Sequence, residues 1–357
     1  MFGMKELKPK INITQTSVEC PVKGCKTKVK KMTRRILKSL GSYLERGDGE
    51  RIKDFEEYFC KEHRIDITPS TFIYENLKDN LLWYDEDKDI FDAIMKVKRV
   101  KAQLYYDNNE DAVTWNVLRY LERNKLLSGL LETFTNQLIN PELIYWSYAQ
   151  SEQDAWNKLV KARKEFGESP KRSSEPDLIV KSKNALIFIE AKFTANNDTT
   201  PSNPNDLKQY LTGGNNWYDE VFKSDYQTVA ISEKKYELLR FWLIGTWIAE
   251  HLKLDFYLVN LVRKGYEEDI ESKFGKHIKQ NERRKFVRIS WEDIYQYISN
   301  SNIQNLDKPT VLGYFENKTV GYNSDGVLQK AFQHIHSPDR GFKRGVAPLF
   351  NITPPSP

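Results

Sequence analysis

The chain has 357 residues, 39% hydrophobic and 29% charged, a composition that suits a globular fold with one large core and room for an appended module. Lysine and arginine total 55 against 50 acids, and a net charge of +5 is too small for the whole-molecule field to argue for nucleic acid, so local charge placement has to decide. No apolar run approaches the ~20 residues of a membrane span, and the N-terminus lacks the apolar segment of a secretory signal, so a cytoplasmic protein without membrane contact is expected.

All three cysteines fall near the start, at Cys20, Cys25 and Cys60. An odd number in a cytoplasmic chain argues against a disulfide framework. Cys20-Pro21-Val22-Lys23-Gly24-Cys25 reads as a knuckle-like turn, and Cys60-Lys61-Glu62-His63 supplies a second pair at the two-residue gap common in zinc sites. Three thiolates and an imidazole fit a closed tetrahedral structural Zn²⁺ site with no open position for chemistry. The chain is most basic here, with Lys23, Lys26, Lys28, Lys30, Lys31, Arg34, Arg35 and Lys38 and no acid between residues 20 and 44. Ile36, Leu37, Leu40 and Leu44 recur at helical spacing, which predicts an amphipathic helix over 33–46, stopped by Gly47-Asp48-Gly49. Lys30, Lys31, Arg34 and Arg35 are expected to contact phosphates, a solvated basic face being the plainer alternative. Asp66–Asn76 is expected to cross the surface as an extended connector, because Pro69 cannot continue a helix.

Residues 77–109 read as a helical linker, with Ile90, Ile94, Val97 and Val100 in helical register. Asn109-Glu110-Asp111 then opens an amphipathic helix with an Asn cap and acids in its first turn. Leu143–Tyr148 is predicted to be a first core strand and residues 152–166 a helix. From Ser174 the chain reaches its most informative stretch. Leu178–Val180 and Ala185–Ile189 are apolar runs either side of Lys181-Ser182-Lys183-Asn184, which predicts a β-hairpin. The second run is apolar at successive positions, as in a strand covered on both faces. Alternation puts Leu186, Phe188, Glu190 and Lys192 on one face, and Asp177 opens the partner strand beside them. Buried charges have to be paired or hold a metal, so two acids and a lysine converging on a core strand point to a divalent-cation site.

Pro176-Asp177, twelve intervening residues and Glu190-Ala191-Lys192 resemble the PD-(D/E)xK signature of the restriction-endonuclease-like nuclease superfamily. The alternative is an ordinary strand pair whose end carries a Glu–Lys pair. The resemblance covers about residues 110–300 and implies an α/β fold, a mixed β-sheet flanked by helices. It also implies a catalytic Mg²⁺ held by Asp177, Glu190 and the Ala191 carbonyl, with Lys192 acting on the attacking water or on developing charge. A helix before the hairpin contributes a further acid in this superfamily, and Glu110 is the choice for it, with simple helix-dipole complementarity as its rival and Glu122, Glu132 and Glu142 in reserve. Lys208 and Gln209 are further candidates, although an ordinary helix surface explains them better. The implied function is a Mg²⁺-dependent DNA endonuclease of a restriction or other defence system, with DNA as partner and a homodimer if both strands are cut. The alternatives are a DNA-repair or recombination nuclease, or an inactive zinc-dependent nucleic-acid-binding protein.

Beyond the hairpin, Thr194–Asp206 reads as a flexible loop and Leu207 as the start of a helix. Residues 233–252 form an apolar helix, Leu254–Val262 a strand, Lys285–Ser290 another and Trp291–Ile298 a helix. The expected organisation is a zinc module over 1–76, a linker over 77–109, a nuclease-like domain over 110–300 and a partly disordered extension over 301–357, with the poor order expected in the tail from about Pro338.

Overall fold

The apolar run predicted to be covered on both faces is the centre of the molecule. In the structure, a computed structural model, residues 6–46, 53–98, 102–169, 173–202, 207–332 and 335 are described. The expected helix stop at Gly47-Asp48-Gly49, Val100, the end of the loop before Leu207 and the tail from Pro338 lie outside them. The N-terminal module contains β1 (Ser17–Glu19), β2 (Lys28–Lys30), α1 (Arg34–Arg46), β3 (Phe59–Cys60), β4 (Ile65–Ile67) and β5 (Phe72–Tyr74). Three helices follow, α2 (Lys88–Val97), α3 (Glu110–Arg123) and α4 (Leu127–Leu131). The main domain continues with β6 (Glu142–Tyr145), β7 (Tyr148–Ala149), β8 (Asp154–Ala155), α5 (Asn157–Glu165), β9 (Leu178–Lys181) and β10 (Ala185–Ala191). Next come α6 (Leu207–Val221), α7 (Tyr236–Leu252), β11 (Asp255–Val262), α8 (Ile270–Lys273), β12 (Arg284–Ser290) and α9 (Trp291–Asn300). The chain closes with α10 (Asp307–Asn317), β13 (Thr319–Tyr322) and β14 (Leu328–Lys330).

Seven strands form one mixed sheet in the order β12-β11-β10-β9-β6-β7-β8. β10, β11 and β12 are parallel, joined by helical crossovers, and β9, β6, β7 and β8 meander antiparallel from the other side of β10. Every residue of β10 is buried. Ala185, Ile187, Ile189 and Ala191 pack into one core with α3, α4, α9 and α10, whereas Leu186 and Phe188 join a second core with α5, α6 and α7. The layers are therefore helix, sheet, helix, with period-2 alternation sorting β10 between two separate apolar cores.

Several expectations change. Asp66–Asn76 is no surface connector: Ile65 pairs with Tyr74 and Ile67 with Phe72, and Ile65, Ile67, Phe72 and Tyr74 wall the cysteine cluster. Pro69 falls in the turn between β4 and β5, where it breaks no ladder. Leu143–Tyr148 is a hairpin rather than one strand, because Trp146 and Ser147 both have positive φ and turn the chain back. The helix expected over 152–166 begins only at Asn157, and the linker is helical over Lys88–Val97. Residues 301–332 of the expected extension are built into the fold. α10 packs on α3 and α9, and the β13–β14 hairpin closes on the N-terminal module through Ile11 N to Gly326 O (2.8 Å), Leu328 N to Pro9 O (2.9 Å) and Tyr322 N to Ser70 O (2.6 Å). Within the described residues, no helix is long and apolar enough to cross a membrane.

Gly321 makes that closure sterically possible. Its φ is +107°, and a Cβ there would collide with the backbone carbonyl of Ser70. Gly24 also has positive φ (+83°), but a Cβ would meet nothing within 4 Å. Gly24→Ala should therefore cost only backbone strain, about 1–2 kcal/mol. Gly321→Ala adds a clash with main chain that cannot move aside and should cost about 3 kcal/mol or more, lowering the melting temperature by about 5 °C or more. Thermal melts of the two variants check this, and equal losses would mean that the hairpin yields freely.

Candidate functional site

The buried strand β10 delivers Glu190-Ala191-Lys192 to the edge of the sheet where β10, β11 and β12 end. Continuing the Ile189–Leu178 register by one step brings Asp177 level with Glu190. Asp177 is 7% exposed, and both its oxygens are held: Ala191 N donates to Oδ2 at 2.8 Å and Trp146 Nε1 to Oδ1 at 3.2 Å. The turn at Trp146 thus serves the site, because the indole stacks on Trp115 of α3 and reaches back to Asp177. Glu190 is 3% exposed; its Oε1 is bonded to Lys192 Nζ, and its Oε2 is buried without a hydrogen-bond partner.

Glu110 arrives from the other chain segment that the sequence singled out. Asn109 caps α3 by accepting from Ala112 N at 2.9 Å, which fixes Glu110 as the first helical residue. Its Oε2 accepts from Phe193 N at 2.8 Å, and its Oε1 lies 3.5 Å from Lys192 Nζ. Lys192 also meets Glu237, whose Oε2 is 3.1 Å away on the first turn of α7. Glu237 was missed; its one legible signal was an acid at the start of an otherwise apolar helix. Trp291, the first residue of α9, was missed too: its Nε1 donates to the Lys192 carbonyl at 3.1 Å. Glu122 instead pairs with Arg119 and the Tyr145 hydroxyl, Glu132 accepts from Leu138 N, and Glu142 binds Ser151. Gln209 lies against Gly167, and the side chain of Lys208 is outside the described set.

Three carboxylates, those of Glu190, Glu110 and Glu237, therefore pair with one ammonium, and Asp177 adds its charge from farther off. Burial first, then the charge of Glu110, pushes the Asp177 carboxyl up to about 8. Burial likewise raises Glu190 and Glu110 above the usual carboxylate range. For Lys192, burial alone would depress the ammonium, but Glu190, Glu110 and Glu237 override it and hold it well above its ordinary value. Neighbouring Asp111 pairs with Lys98 at 3.0 Å, yet its charge still adds to the rise at Asp177 and Glu110. All these acidic side chains offer oxygen ligands, the kind that a hard cation takes, and Glu190 Oε2 is buried without a hydrogen-bond partner. The carboxylates are spread around Lys192 and are not gathered as a closed metal cage.

Such a cage exists in the N-terminal module. Ligand atoms of Cys20, Cys25, Cys60 and His63 all lie within 4.8 Å of one another, the only such group of three or more Cys, His, Asp or Glu among the described residues. Cys20 Sγ and Cys60 Sγ are each 3.6 Å from His63 Nδ1, and Cys25 Sγ is 3.9 Å from Cys60 Sγ. Tetrahedral zinc with Zn–S near 2.3 Å and Zn–N near 2.05 Å requires about 3.8 Å between sulfurs and about 3.6 Å between sulfur and nitrogen. The chain builds those separations from two tight turns, Cys25 N to Val22 O (3.2 Å) and His63 N to Cys60 O (3.3 Å). Glu62, not singled out in the sequence, lies 3.2 Å from Cys25 Sγ. The cluster is consistent with a structural zinc site.

The basic face is less uniform than its sequence. Lys30 is held by Glu57, with both oxygens at 3.0 Å, and Lys31 Nζ donates to Thr14 O at 3.3 Å. Arg34 and Arg35 are exposed on the first turn of α1 and make no ion pair among the described residues.

No family model matches the sequence, and searches of curated proteins and of solved structures return no match either.

One tightly bound Zn²⁺ per chain is expected, surviving dialysis that strips hard cations, because thiolate and imidazole donors select zinc. Cys20→Ser and Cys60→Ser should each lose it, as elemental analysis of the purified proteins will report; full zinc in both would rule out the four-ligand site.

Proposed function

We propose that this chain is a Mg²⁺-dependent nuclease that hydrolyses phosphodiester bonds in DNA. The observation that carries the proposal is the meeting of Asp177, Glu190, Lys192 and Glu110 at one end of the buried strand pair, with Glu190 Oε2 left without a partner. These residues come from separate helices and strands, and an ordinary exposed Glu–Lys pair would need neither the burial nor the acid from α3. Asp177, Glu190 and the Ala191 carbonyl are the residues to hold the cation, which when bound would polarise a phosphate and lower the pKa of bound water. Trp146 and the Ala191 amide orient the Asp177 carboxylate before any ligand arrives, so little reorganisation is left for the reaction. Lys192 presents a buried ammonium to the water or to the developing negative charge, and Trp291 fixes its backbone. Glu110 balances that ammonium from the α3 side.

Asp177→Ala, Glu190→Ala and Lys192→Ala should each lower the cleavage rate constant by about 10²-fold or more, the scale of losing one preorganised charge in a dry site. DNA affinity should stay within about threefold, since these groups act on charge formed during reaction. Plasmid and oligonucleotide cleavage with Mg²⁺ and with EDTA measures both; a Lys192→Ala protein that cuts at the wild-type rate removes the proposal.

DNA is the partner that the exposed guanidiniums of Arg34 and Arg35 suit, their helix being held through Leu40 and Tyr43 against Phe55, Tyr58 and Ile73. Replacing both with glutamine should flatten the slope of log affinity against log salt by about 1.8, roughly 0.9 per lost phosphate contact. Lys30→Gln should change it much less, because Glu57 already neutralises that charge. Binding titrations across a salt series distinguish the two, and an unchanged slope in the double variant would place the DNA grip elsewhere.

A further inference from the structure

Glu190 faces two claims in the proposed site. Its Oε1 is bonded to Lys192, whereas its Oε2 is buried without a hydrogen-bond partner and would take the cation of the proposed site. A carboxylate engaged by a divalent cation has less charge to offer a neighbouring ammonium. Lys192, 12% exposed at its side chain, then depends on its remaining carboxylates. Glu110 is 3.5 Å away and is itself one of the acids assigned to the centre. Glu237 is nearer, at 3.1 Å, and stands on α7, across the sheet from α3.

The frame around Glu237 owes nothing to Glu110, Asp177 or Glu190. Glu237 N donates to Thr199 Oγ1 at 2.8 Å, Tyr236 N to Thr199 O at 3.1 Å, and Thr199 N to Lys234 O at 2.7 Å. Lys235, 1% exposed, grips Asp198 at 2.6 Å and Glu267 at 3.2 Å. Asn197 is tied to Asn260 at 2.7 Å and to Glu267 at 2.8 Å. The stretch after the motif, expected to be a flexible loop, is therefore stitched to the start of α7 over residues 197–199. Its stitching fixes Glu237 beside Lys192, at a helix N-terminus where the peptide dipoles favour a negative charge.

We propose that Glu237 is a positioning residue for Lys192: once a divalent cation engages Glu190, Glu237 keeps the ammonium at the reaction centre. The inference rests on the nuclease reading of this site. In the metal-free protein Glu190 holds Lys192 and Glu237 is redundant; in the metal-loaded protein Glu237 is needed. Its removal should therefore matter only when the cation is present, a dependence that a purely structural residue would not have.

The test uses full-length, zinc-loaded protein, wild type and Glu237→Gln, with and without millimolar Mg²⁺. Calorimetry gives Mg²⁺ affinity, and mass spectrometry follows acylation of Lys192 by an N-hydroxysuccinimide ester. Without Mg²⁺ the two proteins should acylate at rates within about twofold; Mg²⁺ should accelerate Lys192 acylation by about tenfold in Glu237→Gln and by little in wild type, given the strength of a desolvated ion pair. The cleavage rate constant of the variant should fall by about tenfold or more with KM for DNA unchanged, and Glu237→Asp should restore part of it. Mg²⁺ binding with no change in Lys192 reactivity in the variant would overturn the inference while sparing the nuclease reading. Loss of Mg²⁺ binding in Glu237→Gln would also overturn it, by making Glu237 a ligand. Wild-type protein that binds no Mg²⁺ would overturn both.

Discussion

One ammonium shared among buried carboxylates is the constraint around which this fold is arranged. Carboxylates brought together in a dry setting repel one another and cost more than one lysine returns, so they gather only where the scaffold compels them. The compulsion comes from both apolar cores. α3 brings Glu110 from one face of the sheet and α7 brings Glu237 from the other, while β10 is gripped between them over its whole length. Cores of this size stabilise the fold enough to hold a locally unfavourable arrangement of charge, which is how functional sites are commonly built. The indoles of Trp146 and Trp291 belong to the same scheme: large apolar bodies packed in the core, each with its single donor aimed at the motif.

The cysteine cluster and the acidic centre are joined by a short run of structure. Cys60 lies on β3, which pairs with β4 and through it with β5. Asp107, three residues before Glu110, donates its amide to Phe72 O of β5 at 3.0 Å and accepts from the Tyr74 hydroxyl at 2.9 Å. It also accepts from Thr319 Oγ1 at 3.2 Å and sits 3.5 Å from Lys318 Nζ, so the final hairpin meets the same carboxylate. Asp107 is 3% exposed, and this set of partners offsets the cost of burying it. The N-terminal module is thus built into the main domain at the foot of α3.

The sequence announced its strongest local patterns and little of what depends on distant partners. β10 was legible because seven consecutive apolar or motif residues allow few other structures, and the cysteine spacing was legible because metal geometry is strict. Glu110 was readable only as an acid after an Asn cap; its Phe193 partner is 83 positions away. Glu237 carried only the weak mark of an acid at the start of an apolar helix and Trp291 none, because their contacts with Lys192 depend on crossovers that bring α7 and α9 over it. The single strand expected at Leu143–Tyr148 failed because a two-residue turn of Trp and Ser has none of the Asn or Gly that normally betrays positive φ. Lys30 looked as free as Arg34 because its partner, Glu57, is supplied from beyond the basic run.

The closure of β13 and β14 on the N-terminal module sets an order of events during synthesis. The four candidate zinc ligands are complete by residue 63, yet Tyr322 and Leu328, which pack on that cluster, emerge about 260 residues later. At roughly 5–20 residues per second, the ligands precede their cover by about 13–50 s. Over that interval the nascent chain presents thiols and apolar wall residues together, without the hairpin that covers them in the finished fold. The N-terminal module and the β13–β14 hairpin, far apart in sequence, are thereby held by each other's backbone.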